Sequence, residues 1–74
     1  MTHYTKRLRD TREDSDKTQA EIAAALKMHV QQYQLYESGK RKLPIDKLIE
    51  LSIYYDVSTD YLLGLSDKKR KGLI

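Results

Sequence analysis

The sequence contains no cysteine, so disulfide bonds and thiolate metal sites are both excluded. Its two histidines, His3 and His29, are too few to form a histidine metal cage. No apolar run approaches the roughly 20 residues of a membrane-spanning helix, and the N-terminus lacks the apolar core of a signal peptide. These absences predict a cytoplasmic protein that uses no metal or cofactor and has no membrane partner.

Glycine and proline are also scarce, since the 74 residues include only three glycines and one proline. No segment alternates apolar and polar residues as a strand would, so the chain favours short helices joined by short turns. Its length allows one domain, and a domain of this size buries only roughly 60% of its unfolded surface. The sequence therefore predicts an all-α domain over residues 4–65, followed by a basic and flexible tail over residues 66–74.

Catalytic patterns are missing as well. The glycines are too widely spaced for a phosphate-binding loop, and no nucleophilic side chain has a histidine predicted beside it. The acidic cluster of Asp10, Glu13 and Asp14 falls on the predicted solvent face of a helix, where carboxylates are ordinarily solvated. We therefore do not expect an enzyme.

Positive charge is concentrated in two short blocks, residues 40–42 and residues 68–71. Lysine and arginine together number 14 against 11 acidic residues, which gives a net charge of only +3. Such local concentration suggests a polyanionic partner, although basic runs also serve simply to keep a small domain in solution. Charge alone leaves these two interpretations open.

Local sequence patterns predict five helices. Thr18 and Glu21 form a capping box, in which each side chain satisfies a backbone amide at the start of a helix. Gly39 supplies the left-handed conformation that ends a helix, Pro44 suits a first helical turn, and Ser58 is a typical N-cap. The predicted helices span about residues 4–14, 18–26, 30–37, 44–55 and 59–63.

The second and third predicted helices, with the short turn 27–29 between them, have the pattern of a helix-turn-helix. Ala23 is small enough for the two helices to cross closely, and Tyr33 and Tyr36 are spaced to point inward. The outer face of the third helix is then formed by Val30, Gln31, Gln34 and Leu35. Glutamine can bind an adenine edge through two hydrogen bonds, and valine or leucine can contact thymine methyls. An ordinary solvent-facing helix, in which glutamine is common, is the alternative.

Several segments, in order and with unbroken spacing, resemble the phage-repressor (Cro/XRE-type) helix-turn-helix regulators. They are RLRDTRED (7–14), TQAEIA (18–23), YESGKR (36–41), LPIDKLIEL (43–51) and YDVSTDYLLG (55–64). The resemblance covers about residues 6–64. It implies a compact five-helix bundle whose second and third helices carry DNA recognition.

The resemblance also implies roles for individual residues. The base-reading positions are Val30, Gln31, Gln34 and Leu35. Gln19 matches a residue that touches the DNA backbone and buttresses the recognition helix, and Lys40 matches a backbone contact just after that helix. The predicted set of DNA-backbone residues is Gln19, His29, Gln32, Lys40 and Arg41. Arg12 and Glu37 match an ion pair that ties the first helix to the end of the third, and loss of either partner would leave a poorly solvated charge.

This sequence departs from the family pattern at four positions. Lys27 stands where glycine is usual in the turn, so either a positive φ costs about 1 kcal/mol or the turn is reshaped. Thr11 and Lys17 replace the usual leucines, which weakens the packing of the first helix. Leu35 stands where a polar or basic base reader is common, which leaves the target DNA sequence open.

These observations predict a sequence-specific regulator that binds double-stranded DNA and acts as a repressor. One short helix reads only a few base pairs, so a homodimer on two inverted half-sites is expected. The alternative is an antitoxin or anti-repressor with the same fold that acts mainly through contact with a protein partner.

Overall fold

Five helices form the regular secondary structure of residues 4–70, the part of the chain that the computed structural model describes. They are α1 (Tyr4–Asp14), α2 (Gln19–Ala25), α3 (Val30–Ser38), α4 (Ile45–Tyr55) and α5 (Thr59–Leu62), and no strand occurs within this range. The predicted all-α, five-helix fold is therefore confirmed, and each predicted helix end lies within one residue of the observed one. Residues 71–74 of the predicted tail lie outside the described residues.

Local capping fixes three of the helix ends, the starts of α2 and α5 and the end of α3. The Oγ1 atom of Thr18 accepts a hydrogen bond from the backbone amide of Glu21 at 3.1 Å, and the Glu21 carboxylate accepts one from the Thr18 amide at 2.8 Å. The predicted capping box is thus confirmed. Gly39 ends α3 with a left-handed φ of 84°, and Ser58 caps α5 by accepting from the Tyr61 amide at 3.0 Å.

Pro44 precedes the first turn of α4, in which it was predicted to lie. Its backbone is extended, with a φ of −64° and a ψ of 150°, so it is the N-cap residue of α4 and not part of the first turn. A proline at either position leaves no backbone amide unsatisfied, which is why the local pattern does not separate them. The start of α4 is also anchored by Lys47, whose Nζ atom donates to the Leu26 carbonyl at the end of α2 at 3.3 Å.

The core takes residues from all five helices. Its buried members are Leu8, Ile22, Ala23, Leu26, Tyr33, Leu51 and Leu62. Tyr36 is only 4% exposed, so both predicted tyrosines of α3 point inward. Thr11 is also buried, and its hydroxyl donates to the Arg7 carbonyl at 2.7 Å. That bond satisfies the polar atom that stands where the family usually has leucine.

Residues 66–70 return to the helical bundle. The Arg7 guanidinium donates to the carbonyls of Tyr61 at 2.7 Å and Ser66 at 3.0 Å, and it stacks over the Tyr61 ring at 4.3 Å. Arg70 forms an ion pair with Asp56 at 2.6 Å. These contacts place the segment beside α1 and α5. The domain boundary at residue 65 and the flexibility of the tail stay predictions.

α4 presents an apolar stripe to solvent. Ile45 and Ile53 are each 73% exposed and Ile49 is 48% exposed. Their spacing of four residues places all three on one side of the helix, away from the buried Leu51. We refer to Ile45, Ile49 and Ile53 as the α4 stripe.

The turn between α2 and α3 keeps the left-handed backbone that glycine adopts most easily. Lys27 has a φ of 58°, so the departure from glycine results in strain and not in a reshaped turn. Asp16 and Asp56 are also left-handed, at 56° and 58°, but aspartate tolerates this region better than lysine does. Lys27 is therefore the position at which the main chain most favours glycine.

We expect Lys27→Gly to raise the free energy of unfolding by about 0.5–1 kcal/mol, because glycine removes the left-handed penalty but loses more chain entropy. The measurement is urea denaturation followed by circular dichroism. Ala24→Gly is the matched control, since it places the same residue type in an exposed helical position and should lower stability by about 1 kcal/mol. A Lys27→Gly variant that loses as much stability as this control would contradict the strain argument.

Candidate nucleic-acid interface

α3 has one buried side and one exposed side. Tyr33, Tyr36 and Glu37 are buried, and at about 100° per residue they define the inward direction of the helix. Gln31 and Leu35 fall nearly opposite to them, and Gln31 is exposed whereas Leu35 is half-buried. The outward side of α3 therefore offers one polar and one apolar side chain, about one helical turn apart.

Gln34 and Val30 flank this outward side. Gln34 is exposed, but Val30 is half-buried and packs against the core. The prediction that Val30 lies on the outer face is therefore wrong. Val30 precedes Tyr33 by three residues, so it lies only about 60° from that buried tyrosine around the helix. Its role in base reading stays a prediction.

The residues predicted to contact the DNA backbone lie along and beyond α3. His29 is the N-cap residue of α3, is exposed and makes no side-chain capping bond. Gln32 is half-buried and donates from Nε2 to the Tyr36 hydroxyl at 3.2 Å. Lys40 and Arg41 are exposed in the loop after α3, and the Arg41 amide donates to a carbonyl of α3 at 3.1 Å. This bond holds the basic loop against the C-terminal end of α3.

An ion pair joins α1 to the end of α3. Arg12 donates from Nε and Nη2 to the two carboxylate oxygens of Glu37, at 2.9 and 3.0 Å. The two side chains are 13% and 4% exposed, respectively. Arg12 also donates from Nη1 to the Lys17 carbonyl at 2.9 Å, in the loop before α2. The structure thus brings together the two residues that the resemblance pairs, in a two-point geometry that is especially strong for arginine and carboxylate.

The Glu37 carboxylate stays ionised although it is buried. Burial alone would raise its pKa, but hydrogen bonds from Arg12 and Gln19, together with the nearby Tyr33 hydroxyl, hold that pKa below its ordinary value. The bond to Glu37 raises the pKa of Arg12, while burial and the same carboxylate raise the pKa of Tyr33. Because the folded-state pKa of Glu37 is lowered, its charge contributes stability at neutral pH that is lost as the pH falls through that pKa.

Gln19 and Gln34 extend this ion pair to the exposed side of α3. Gln19 donates from Nε2 to Glu37 Oε1 at 3.0 Å, and Gln34 donates from Nε2 to Gln19 Oε1 at 3.2 Å. We call the chain of contacts from Arg12 through Glu37 and Gln19 to Gln34 the polar relay. The resemblance implied that Gln19 supports the recognition helix, but the bond to Gln34 was not predicted. The spacing of Gln34 and Glu37 indicates only that both lie on one side of α3. The bond itself depends on where α2 places Gln19.

A cleft between α1, α2 and α3 opens beside the polar relay. It is lined by Arg9, Arg12, Gln19, Gln34, Glu37 and Ser38. Arg9 is exposed here and takes part in no ion pair within residues 4–70. It was not among the predicted site residues, although its spacing from Arg12 puts both on one side of α1. Arg9 therefore adds a cation to the cleft that also contains Gln34.

Residues 4–70 lack two other kinds of feature. No group of three or more histidine, cysteine or acidic residues within residues 4–70 is placed to hold a metal ion. None of the helices α1 to α5 has the length and apolar character needed to cross a membrane.

The arrangement of α2 and α3 has counterparts in known proteins. A family profile described as helix-turn-helix matches residues 8–62. The chain belongs to the helix-turn-helix family. Together with the curated relatives, this match confirms the resemblance to regulators of the phage-repressor type.

Curated relatives of this helix-turn-helix chain are named as transcriptional regulators. The chain is similar to the uncharacterized HTH-type transcriptional regulator YobD of Bacillus subtilis (strain 168), with 41% identity over 64 residues, or 86% of this chain and 57% of that protein. It is also similar to the HTH-type transcriptional regulator ImmR of the same organism, with 39% identity over 66 residues, or 89% of this chain and 52% of that protein. Both relatives are named as transcriptional regulators and not as enzymes.

A solved structure shares the helix-turn-helix fold. The crystal structure of a transcriptional regulator from Listeria innocua matches with a TM-score of 0.78 at 29% identity, covering 84% of this chain and 58% of that chain. The present chain thus spans little more than half the length of each protein that it matches. The similarity therefore concerns this domain, and it does not carry over the activities of the longer proteins.

Arg12→Ala and Glu37→Ala should each lower the free energy of unfolding by about 3 kcal/mol, because either change leaves a charge without its partner in a poorly hydrated site. The double variant should cost less than the sum of the two single changes. Urea denaturation of the parent and the three variants measures this coupling. The exposed Lys6–Asp10 pair, with 2.8 Å between its charged atoms, is the control and should show much weaker coupling. If the changes in the free energy of unfolding at Arg12 and Glu37 were strictly additive, the two side chains would not interact as expected.

Proposed function

We propose that the protein is a transcriptional regulator that binds double-stranded DNA in a sequence-specific manner. The observation that carries this proposal is the exposed side of α3, where Gln31 and Gln34 stand on a helix whose opposite side is buried in the core. The naming of the relatives as transcriptional regulators supports the same role. A regulator of this kind acts in the compartment that holds the DNA, which we take to be the cytoplasm.

α3 is the element that we place in the major groove, which is wide enough for one helix. Gln31 lies in its first turn, the part of a recognition helix that approaches base edges most closely. The Gln31 amide can donate to and accept from an adenine, and Leu35 can contact a thymine methyl. With Val30 and Gln34, these residues form the proposed base-reading set.

The proposed contacts to the DNA backbone surround α3. The set consists of Gln19, His29, Gln32, Lys40 and Arg41. Lys40 and Arg41 are its cations, exposed in the loop that follows α3. We add Arg9, because it is an exposed cation in the cleft that Gln34 also lines. Such cations supply the part of the affinity that does not depend on sequence, so the salt dependence of binding reports on them.

A homodimer that represses transcription by blocking polymerase is the proposed active form. The recognition helix has only nine residues, whereas two copies on inverted half-sites, centred about 10–10.5 base pairs apart, would read twice the sequence. We assign the α4 stripe to the contact with the second copy, because three exposed isoleucines on one side of α4 would be covered there. Three side chains offer far less than the roughly 800 Å² per partner of a stable interface, so the dimer is expected on DNA and not free in solution.

Gln31→Ala should cost roughly 1–3 kcal/mol of binding free energy on the preferred site and much less on random DNA. The reason is that the side chain contacts a base edge, which only the preferred site supplies in the right place. Selection from a random duplex library first defines the preferred site, and fluorescence anisotropy then measures the affinity for each DNA.

Gln32→Ala is the matched control for this change, since the adjacent glutamine is assigned to the DNA backbone and should weaken binding to both kinds of DNA alike. A Gln31→Ala variant with the specificity ratio of the parent would contradict the assignment of Gln31. A library that returns no preferred sequence would contradict sequence-specific binding itself. A footprint over a single half-site would contradict the dimer.

Lys40→Ala and Arg41→Ala should each weaken binding about evenly across DNA sequences, because phosphates are present in all of them. Each lost phosphate contact should make the slope of log affinity against log salt shallower by about 0.9. Salt titrations measure this slope for the parent and the variants. Lys68→Ala, which removes an exposed cation from the segment beside α5, is the control and should leave the slope unchanged. If Lys40→Ala or Arg41→Ala shows the same salt slope as the parent, the substituted residue does not contact a phosphate.

A further inference from the structure

The polar relay has a fixed direction, which is set at its buried end. The Glu37 carboxylate can only accept hydrogen bonds, so the Gln19 amide must turn its Nε2 atom toward it, and the two bonded atoms are 3.0 Å apart. The Gln19 carbonyl oxygen then faces Gln34, which must direct its own Nε2 atom toward Gln19, at 3.2 Å. One buried negative charge thus determines the orientation of two amides in series.

The buried end of the relay is itself held in place. Arg12 donates to both carboxylate oxygens of Glu37, and the Glu37 side chain is almost fully buried. The carboxylate therefore cannot rotate without breaking two charge-assisted bonds. The orientation of Gln34 on the exposed side of α3 consequently depends on a contact between α1 and the inner side of α3.

The Gln34 amide keeps one acceptor and one donor that the relay does not use. The relay uses one N–H of the amide, so its Oε1 atom and its second N–H are left to bind another group. Adenine presents the complementary pair in the major groove, an N6 donor beside an N7 acceptor, whereas guanine presents two acceptors. A Gln34 amide held in this orientation matches adenine, and it would set its oxygen against an oxygen of guanine.

Gln31 lacks such a constraint. Its side chain is exposed, and the glutamine side-chain bonds found within residues 4–70 belong to Gln19, Gln32 and Gln34. The Gln31 amide can therefore turn and offer both of its N–H groups, which lets it adapt to guanine as well as to adenine. The two exposed glutamines of α3 thus differ in how strictly they can discriminate between purines.

We propose that Glu37, acting through Gln19, presets the Gln34 amide to read adenine. Glu37 is then a positioning residue for base specificity, although it does not touch DNA. The inference rests on the proposed function, since it requires α3 to lie in the major groove. Presetting also means that Gln34 loses less rotational freedom on binding than an unconstrained glutamine does.

The first experiment measures base preference at single positions of the selected DNA site. For the parent we expect adenine at the base pair read by Gln34, with discrimination against guanine of about 5- to 150-fold. Gln34→Ala should abolish this preference at that one base pair. Gln19→Ala should reduce it several-fold at the same base pair and leave the preference at the base pair read by Gln31 unchanged.

The comparison of single positions separates positioning from contact with the DNA backbone. Loss of a phosphate contact by Gln19→Ala would weaken binding to all sequences equally, whereas loss of the relay changes one base preference only. Gln31→Ala is the matched control and should remove the preference at a different base pair. An adenine preference at the Gln34 position that survives Gln19→Ala at full strength would overturn the proposal.

A second experiment tests the relay without DNA, by nuclear magnetic resonance of isotopically labelled protein. The side-chain amide of Gln34 should resonate apart from the exposed amide of Gln31, and Gln19→Ala should move it toward the Gln31 position. Coincident amide signals of Gln31 and Gln34 in the parent would overturn the proposal.

A parent that selects no DNA sequence would overturn the proposed function and this inference together. The inference alone would be overturned by a different result. In that case the relay is intact by magnetic resonance and a DNA site is selected, but no adenine preference in that site is lost in Gln34→Ala.

Discussion

The ion pair between Arg12 and Glu37 is the interaction on which the rest of the interface depends. A buried carboxylate is costly unless several donors surround it, and here the donors come from Arg12 of α1 and Gln19 of α2. α3 is thereby fixed against both neighbouring helices. The placement of α3 in turn determines where its exposed side chains lie. The left-handed turn at Lys27 is tolerated because this network and the core hold α2 and α3 on either side of it.

A core without phenylalanine or tryptophan relies on tyrosine, and each tyrosine brings a hydroxyl that must be accommodated. Tyr4 accepts a hydrogen bond from a backbone amide of the loop before α4 at 3.0 Å, and Tyr36 accepts one from Gln32 at 3.2 Å. The hydroxyls of Tyr33 and Tyr55 are buried without a hydrogen bond of regular geometry, and burial and the Glu37 charge raise the pKa of both. The same residue type thus fills the core and ties it to a loop.

Much of this architecture could be predicted from the sequence because it depends on residues that are close along the chain. The capping box at Thr18 and the left-handed Gly39 follow from patterns of a few residues. Val30 was misplaced because a residue at the edge of a helix face is assigned by how the neighbouring helices pack, and spacing alone does not give that. The bond between Gln19 and Gln34 was missed for the same reason, since it requires the relative placement of α2 and α3.

Glu37 has both a structural role and a proposed role in base specificity, and this affects how such a regulator can evolve. Its carboxylate holds α1 to α3 and also orients the amide chain that ends at Gln34, so a mutation there changes fold and recognition at once. Gln31 has no comparable tie to the body of the domain within the described residues. A lineage that adapts to a new operator can therefore vary Gln31 at little cost to folding, whereas the base pair assigned to Gln34 would be the slowest to drift.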